Sequence, residues 1–179
     1  ALPIYYMLVE RNTICSGITK NTTAKITSQH GLIYDRLYKS AGFEIARKYL
    51  EVNQSSVRKY LDIGKSIDCN MEIKPSFVYS INGREKLEKE AEALRKIGFC
   101  ADITETTELP FSIAGAIRFD DQAQFHPLKF LSKISENLRI YENTFVKELS
   151  EHEAVTERGT ITFKKLIIAT HFPMENRHG

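Results

Sequence analysis

The chain has 179 residues and a formal net charge of +2 at pH 7, with 42% hydrophobic and 27% charged residues. That length suits one domain or two small lobes and is enough to bury a core. Lys and Arg are scattered among acids, which argues against a nucleic-acid partner. No run approaches the ~20 apolar residues a membrane span needs.

The chain opens on Ile4-Tyr5-Tyr6-Met7-Leu8-Val9, a continuous apolar run. Such a run predicts a strand buried on both faces of a parallel sheet. Residues 15–31 are rich in Ser and Thr and read as an ordered loop with a short helical turn. Apolar stripes at helical spacing predict helix from Leu32 to Lys65, with Gly42 separating two helices or marking a bend. Phe77, Tyr79 and Ile81 alternate, as in a half-buried strand, and Asn82-Gly83 is a turn. From Arg84 to Ile97, Leu87, Ala91 and Leu94 line one side of a helix. Glu85 with Lys89 and Glu92 with Lys96 face water, and Gly98 ends the helix.

Ile113, Gly115, Ile117 and Phe119 predict another strand. Pro127 opens a helix through Ser135, since proline fits a first helical turn. Short strands follow at 138–141 and 144–149, and Glu157-Arg158-Gly159-Thr160 is a hairpin turn. Leu166-Ile167-Ile168-Ala169 is a second fully apolar run, expected to be a central parallel strand.

Cys15, Cys69 and Cys100 contain no C-x-x-C pair and fit no metal site. They read as reduced thiols of a cytoplasmic protein. No signal peptide is visible, and no nucleophile elbow, P-loop or H-E-x-x-H motif appears.

The first chemical clue is an apolar strand ending in Glu10. In dinucleotide folds the second strand ends in an acid that bonds the adenosine ribose hydroxyls. One carboxylate accepts well from two adjacent hydroxyls. The G-x-G-x-x-G that should precede it is absent, the first glycine being Gly17. Without that turn no helix N-terminus faces a pyrophosphate. Either this is not a dinucleotide fold, or its first βα unit lies outside the chain. Apolar runs at both ends, with alternating strands and helices between, suggest a sheet interrupted by an inserted lobe.

The segments Glu10-Arg11-Asn12, Gly17-Ile18-Thr19 and Thr22 to Gly31 resemble the FAD-binding approach of the D-amino-acid-oxidase (DAO) superfamily. Gln122-Ala123-Gln124-Phe125-His126-Pro127 continues the resemblance. So do Ile140 to Val146 and Ile167-Ile168-Ala169-Thr170-His171-Phe172-Pro173, in the expected order along nearly the whole chain. The match is closest to a bacterial branch of FAD-dependent oxidoreductases, some with a C-terminal Rieske iron–sulfur domain.

The resemblance implies that Glu10 is the ribose acid, with Arg11 near the adenosine. It implies that Thr19, Thr22, Thr23, Ala24 and Lys25 lie on the loop passing the pyrophosphate and isoalloxazine ring. Val146 would meet the adenine edge through its backbone, and Ala169 and Thr170 would end a strand beside the cofactor. His171 stands where relatives have glycine. His30, Gln124 and His126 are candidates near the substrate, against plainer roles in capping and packing. No catalytic residue is assigned.

The implied fold class is α+β with α/β remnants: an incomplete FAD-binding Rossmann-type domain from residues 1–31 and 143–179, with an inserted mixed or antiparallel-sheet substrate-binding lobe, residues 32–142, and helices. The implied function is part of an FAD-dependent oxidoreductase acting on an amine, amino acid or related small molecule. The chain alone is expected to be inactive and without FAD. Exposed strand edges would favour a homodimer. The alternatives are a cofactor-free α+β binding or interaction module, and a fragment of an NAD-type Rossmann enzyme. Side-by-side parallel pairing of the runs 4–9 and 166–169 is what the flavoprotein reading expects and the binding module does not.

Overall fold

The computed structural model describes residues 5–170. The chain divides into two compact units, residues 1–17 with 137–179 and residues 18–136. The sequence reading set these breaks after residue 31 and before 143. The pairing of β2 (Lys25–Ile26) explains the earlier break. It lies antiparallel to β5 (Gly115–Gln124), with Lys25 opposite Gln124 and Ile26 opposite Ala123. The Thr-rich loop is thus built into the larger unit.

In that unit a short 3-10 turn, Ile18–Asn21, and β2 precede α1 (Tyr34–Gly64). α1 is two helices joined at Gly42, which takes φ 82° and ψ 177°. Only glycine adopts that backbone readily. β3 (Glu72–Ser80), α2 (Glu85–Lys96) and β4 (Asp102–Thr104) lead to β5 and then α3 (Pro127–Ser135). β5 is the centre of the sheet, pairing antiparallel with β2, β3 and β4.

The core forms where α1 and α2 meet one face of this sheet. Leu87, Ala91 and Leu94 of α2 are buried with Tyr34, Leu50, Ile117 and Phe119. The three α2 residues recur at i, i+4 and i+7, so one stripe enters the core. Burying each leucine contributes about 1.5–3 kcal/mol. α2 ends in the left-handed Gly98, whose successor Phe99 donates its N–H to the Leu94 carbonyl at 2.9 Å. That bond satisfies a carbonyl the helix end leaves unpaired. The β3–β5 register shifts between Lys74 and Ser76. Pro75 sits at the shift and has no N–H to give. Asp121 on β5 takes φ 55°.

In the smaller unit β1 (Leu8–Val9) pairs in parallel with β6 (Ile140–Tyr141). β7 (Val146–Leu149), β8 (Glu153–Thr156) and β9 (Gly159–Thr162) form an antiparallel meander turning at 157–158. Two expectations fail here. The opening run is not buried on both faces: Tyr5 is 80% exposed and Leu8 41%. Leu166 to Ala169 form no strand, and Ile167 is 89% exposed. A parallel strand is buried only when neighbours and covering layers exist. β1 has β6 as its one neighbour among the described residues, and its faces stay largely exposed.

Candidate functional site

In the smaller unit, residues 10–12 are tied to residues 141–144 along the backbone. Glu10 N–H donates to the Tyr141 carbonyl at 3.0 Å, and the Glu10 carbonyl accepts from Thr144 N–H at 2.9 Å. Asn143 N–H donates to the Asn12 carbonyl at 2.8 Å, with Asn143 in the left-handed region at φ 49°. The half-buried Glu10 side chain accepts from Asn12 N–H through Oε1 at 2.9 Å. Among the described residues, Oε2 has no such partner. The Arg11 guanidinium lies 4.6 Å from the Phe145 ring centroid, a cation–π stack. Val146, half-buried, begins β7 directly after. The structure therefore brings Glu10, Arg11 and Val146 to one place. Ala169 and Thr170 are exposed at the end of the described chain, and His171 lies outside the described residues.

In the larger unit Thr19 lies in the 3-10 turn. Thr22 Oγ1 accepts from Ala24 N–H at 3.2 Å, and Ala24 holds φ 55°. Thr23 is exposed beside them. Lys25 on β2 faces Gln124 in register. Gln124 donates through Nε2 to Glu72 at 3.1 Å. His126 caps α3, its Nδ1 accepting from Lys129 N–H at 3.3 Å, and its own N–H donates to the Cys69 carbonyl at 2.7 Å. His30 Nδ1 lies 2.8 Å from the Tyr49 hydroxyl. Lys25, Gln124 and His126 thus share one stretch of sheet and helix start, while His30 is held elsewhere by α1.

The chain matches the DAO family, described as FAD dependent oxidoreductase, over residues 6–173. It belongs to that family. Among curated proteins, this DAO-family chain is 33% identical to YhfW of Bacillus subtilis (strain 168), named for a Rieske 2Fe-2S iron–sulfur centre. The alignment covers 97% of this chain and 36% of YhfW, so the chain spans about a third of that relative. Glycine oxidase from Geobacillus kaustophilus has a similar fold, with TM-score 0.59 and 18% identity over 90% of this chain and 47% of its own. L-proline dehydrogenase from P. horikoshii gives TM-score 0.66 and 16% identity over 88% and 44%. The family match favours FAD over the NAD alternative. It holds although Leu8 and Val9 pair with β6 and not with residues 166–169.

Two features of the DAO-family chain were not singled out in its sequence. Glu142 Oε1 accepts from Ile14 N–H at 2.7 Å across 128 residues of chain. Glu90, 2% exposed, accepts from Tyr34 N–H through Oε1 at 2.8 Å and from Asp35 N–H through Oε2 at 2.7 Å. Burial holds the Glu90 carboxyl above its ordinary value. The backbone N–H groups pull the other way, and Asp35 adds to the rise. Burial, with Tyr49 and Glu90 adding to it, also pushes the Tyr34 phenol up. The Tyr34 hydroxyl donates to the Ser28 carbonyl at 2.5 Å, and Ser28 N–H donates to Gln122 Oε1 at 2.7 Å. This network fixes the residues before α1 onto β5. A depression of about 290 Å³ lies among Arg58, Cys100, Arg118, Asp120 and Gln122. Arg118 is already paired with Asp120 there at 2.7 Å.

Proposed function

We propose that this chain is part of an FAD-dependent oxidoreductase that oxidises an amine or amino acid, and that Glu10 bonds the adenosine ribose of its FAD. What carries the reading is the Glu10 carboxylate at the end of β1. One oxygen is pinned by Asn12 N–H, and among the described residues the other has no hydrogen-bond partner. An acceptor-only carboxylate suits the ribose diol. Arg11, over the Phe145 ring, and Val146 stand near it in the chain. The donor set therefore fits the ribose end of FAD. FAD supplies hydride acceptance when bound, while the protein holds and orients both partners. The substrate class is supported by the amino-acid activities in the names of the similar structures, glycine oxidase and L-proline dehydrogenase.

In this reading Thr19, Thr22, Thr23, Ala24 and Lys25 are the cofactor-side residues of the larger unit, and His30, Gln124 and His126 are its candidates for contact with substrate. The 179 residues alone hold FAD weakly and do not turn over, because their nine glycines include no G-x-G-x-x-G to cradle the pyrophosphate. Glu10→Ala in the full-length protein tests the assignment. FAD affinity, read by recovery of free-flavin fluorescence, is expected to fall at least ~10-fold, the equivalent of one lost charge-assisted hydrogen bond. Unchanged affinity refutes it.

A further inference from the structure

Glu10 cannot hold its own position. It follows a two-residue strand, and the backbone after it leaves regular structure, with Cys15 in the left-handed region at φ 62°. What restrains residues 10–14 is a set of bonds from the β6–β7 connection. The Glu10 and Asn12 carbonyls accept from the Thr144 and Asn143 N–H groups. These bonds fix the near half of the loop. In the far half, beside the Thr13 carbonyl that accepts from Ser16 N–H at 3.2 Å, Glu142 Oε1 accepts from Ile14 N–H at 2.7 Å. That acceptor is half-buried and short, and a bond to a charged acceptor is stronger than a neutral one. Asn12 is held through its own carbonyl on one side and precedes the Ile14 anchor by two residues on the other, and its N–H aims the Glu10 carboxylate.

We infer that Glu142 is a positioning residue for cofactor binding: by holding Ile14 N–H it fixes the turn through Asn12 and so the orientation of the Glu10 carboxylate toward the ribose diol. The inference rests on the reading of Glu10 as the ribose acid. It assigns no contact between Glu142 and the cofactor.

The test is a double-mutant cycle in the full-length protein, with FAD as the probe. Affinity is read by flavin fluorescence, and stability of the apoprotein by urea unfolding. Glu142→Ala is expected to weaken FAD about tenfold, and to weaken it much less when Glu10 is already alanine, since it acts through Glu10. Glu142→Gln keeps an acceptor oxygen for Ile14 N–H and is expected to bind FAD within about twofold of wild type. Equal losses from Glu142→Ala in both backgrounds would overturn the inference, because Glu142 would then act independently of Glu10. A tenfold loss in Glu142→Gln, a fold-preserving change, would also overturn it by showing that charge and not the hydrogen bond matters. The ribose-acid reading fails on a separate arm: wild-type affinity in Glu10→Ala alone.

Discussion

Glu90 offers the sharpest test of how the larger unit is held together. α1 begins after Ile33, whose side chain provides no cap. A helix start leaves its first N–H groups without partners. Glu90, one helix away, supplies both oxygens to Tyr34 and Asp35 N–H, at 2.8 and 2.7 Å. Each bond to a charged acceptor contributes about 1.5–3 kcal/mol. Burial outweighs these bonds for the charged form, so the cost of removing Glu90 lies chiefly in leaving two helix-start N–H groups without a partner. Glu90→Ala should therefore lower the unfolding free energy by about 3 kcal/mol, read by urea denaturation. A loss under ~1 kcal/mol would refute the cross-helix cap. The pH dependence gives an independent check. The folded carboxyl lies above its ordinary value because burial disfavours the charge. Between the unfolded and folded values the native state therefore binds more protons, so stability falls as pH rises through that window. The contribution is fully present below the ordinary carboxylate range. Glu90→Gln should abolish this step, and a step that persists in the Gln variant would place its origin elsewhere.

The other predictions concern packing and backbone. Leu94→Ala removes a side chain with no exposed surface from the main core and should cost about 2–5 kcal/mol by denaturant unfolding. Gly42→Ala adds a Cβ that meets nothing within 4 Å, so its penalty is backbone strain at φ +82°, about 1–3 kcal/mol, seen as a lower Tm. His126→Ala removes the side-chain acceptor at the start of α3. It should destabilise by ~0.5–1 kcal/mol, with Asn at 126 recovering most of the loss.

Local rules found the elements that depend on local rules. α2 and its Gly98 stop, the break at Gly42 and the Pro127 start of α3 each follow from spacing or from one residue's backbone preference. β4 is different. Asp102-Ile103-Thr104 carries a single apolar residue and becomes a strand because β5 pairs with it, Ile103 opposite Ile117. β5 itself runs on through Asp120, Asp121 and Gln122, residues with poor strand preference. There Gln122 is held opposite Lys74 of β3, while Asp120 and Asp121 fall at the register shift, Asp121 at φ 55°. Glu90 was within reach of periodicity. It falls at the i+3 position of the stripe Leu87, Ala91, Leu94, so a charge on the core side of α2 was visible. It was overshadowed by the solvated Glu–Lys pairs around it. Glu142 had no comparable signal, since its partner Ile14 lies 128 residues away.

The two apolar end runs show where composition stops being informative. A continuous run reports that a segment tolerates burial on both faces, but it carries no register and names no partner. Leu8 and Val9 pair with Ile140 and Tyr141, a strand of only two residues preceding a Glu-Asn-Thr turn. What makes that pairing specific is the backbone bonding between residues 10–12 and 141–144, together with the Glu142 carboxylate on Ile14 N–H. The residues that set the register are thus the same polar ones that frame Glu10. A substitution there changes strand pairing and the proposed ribose contact together, whereas substitutions along Ile4 to Val9 change only how much apolar surface the run presents.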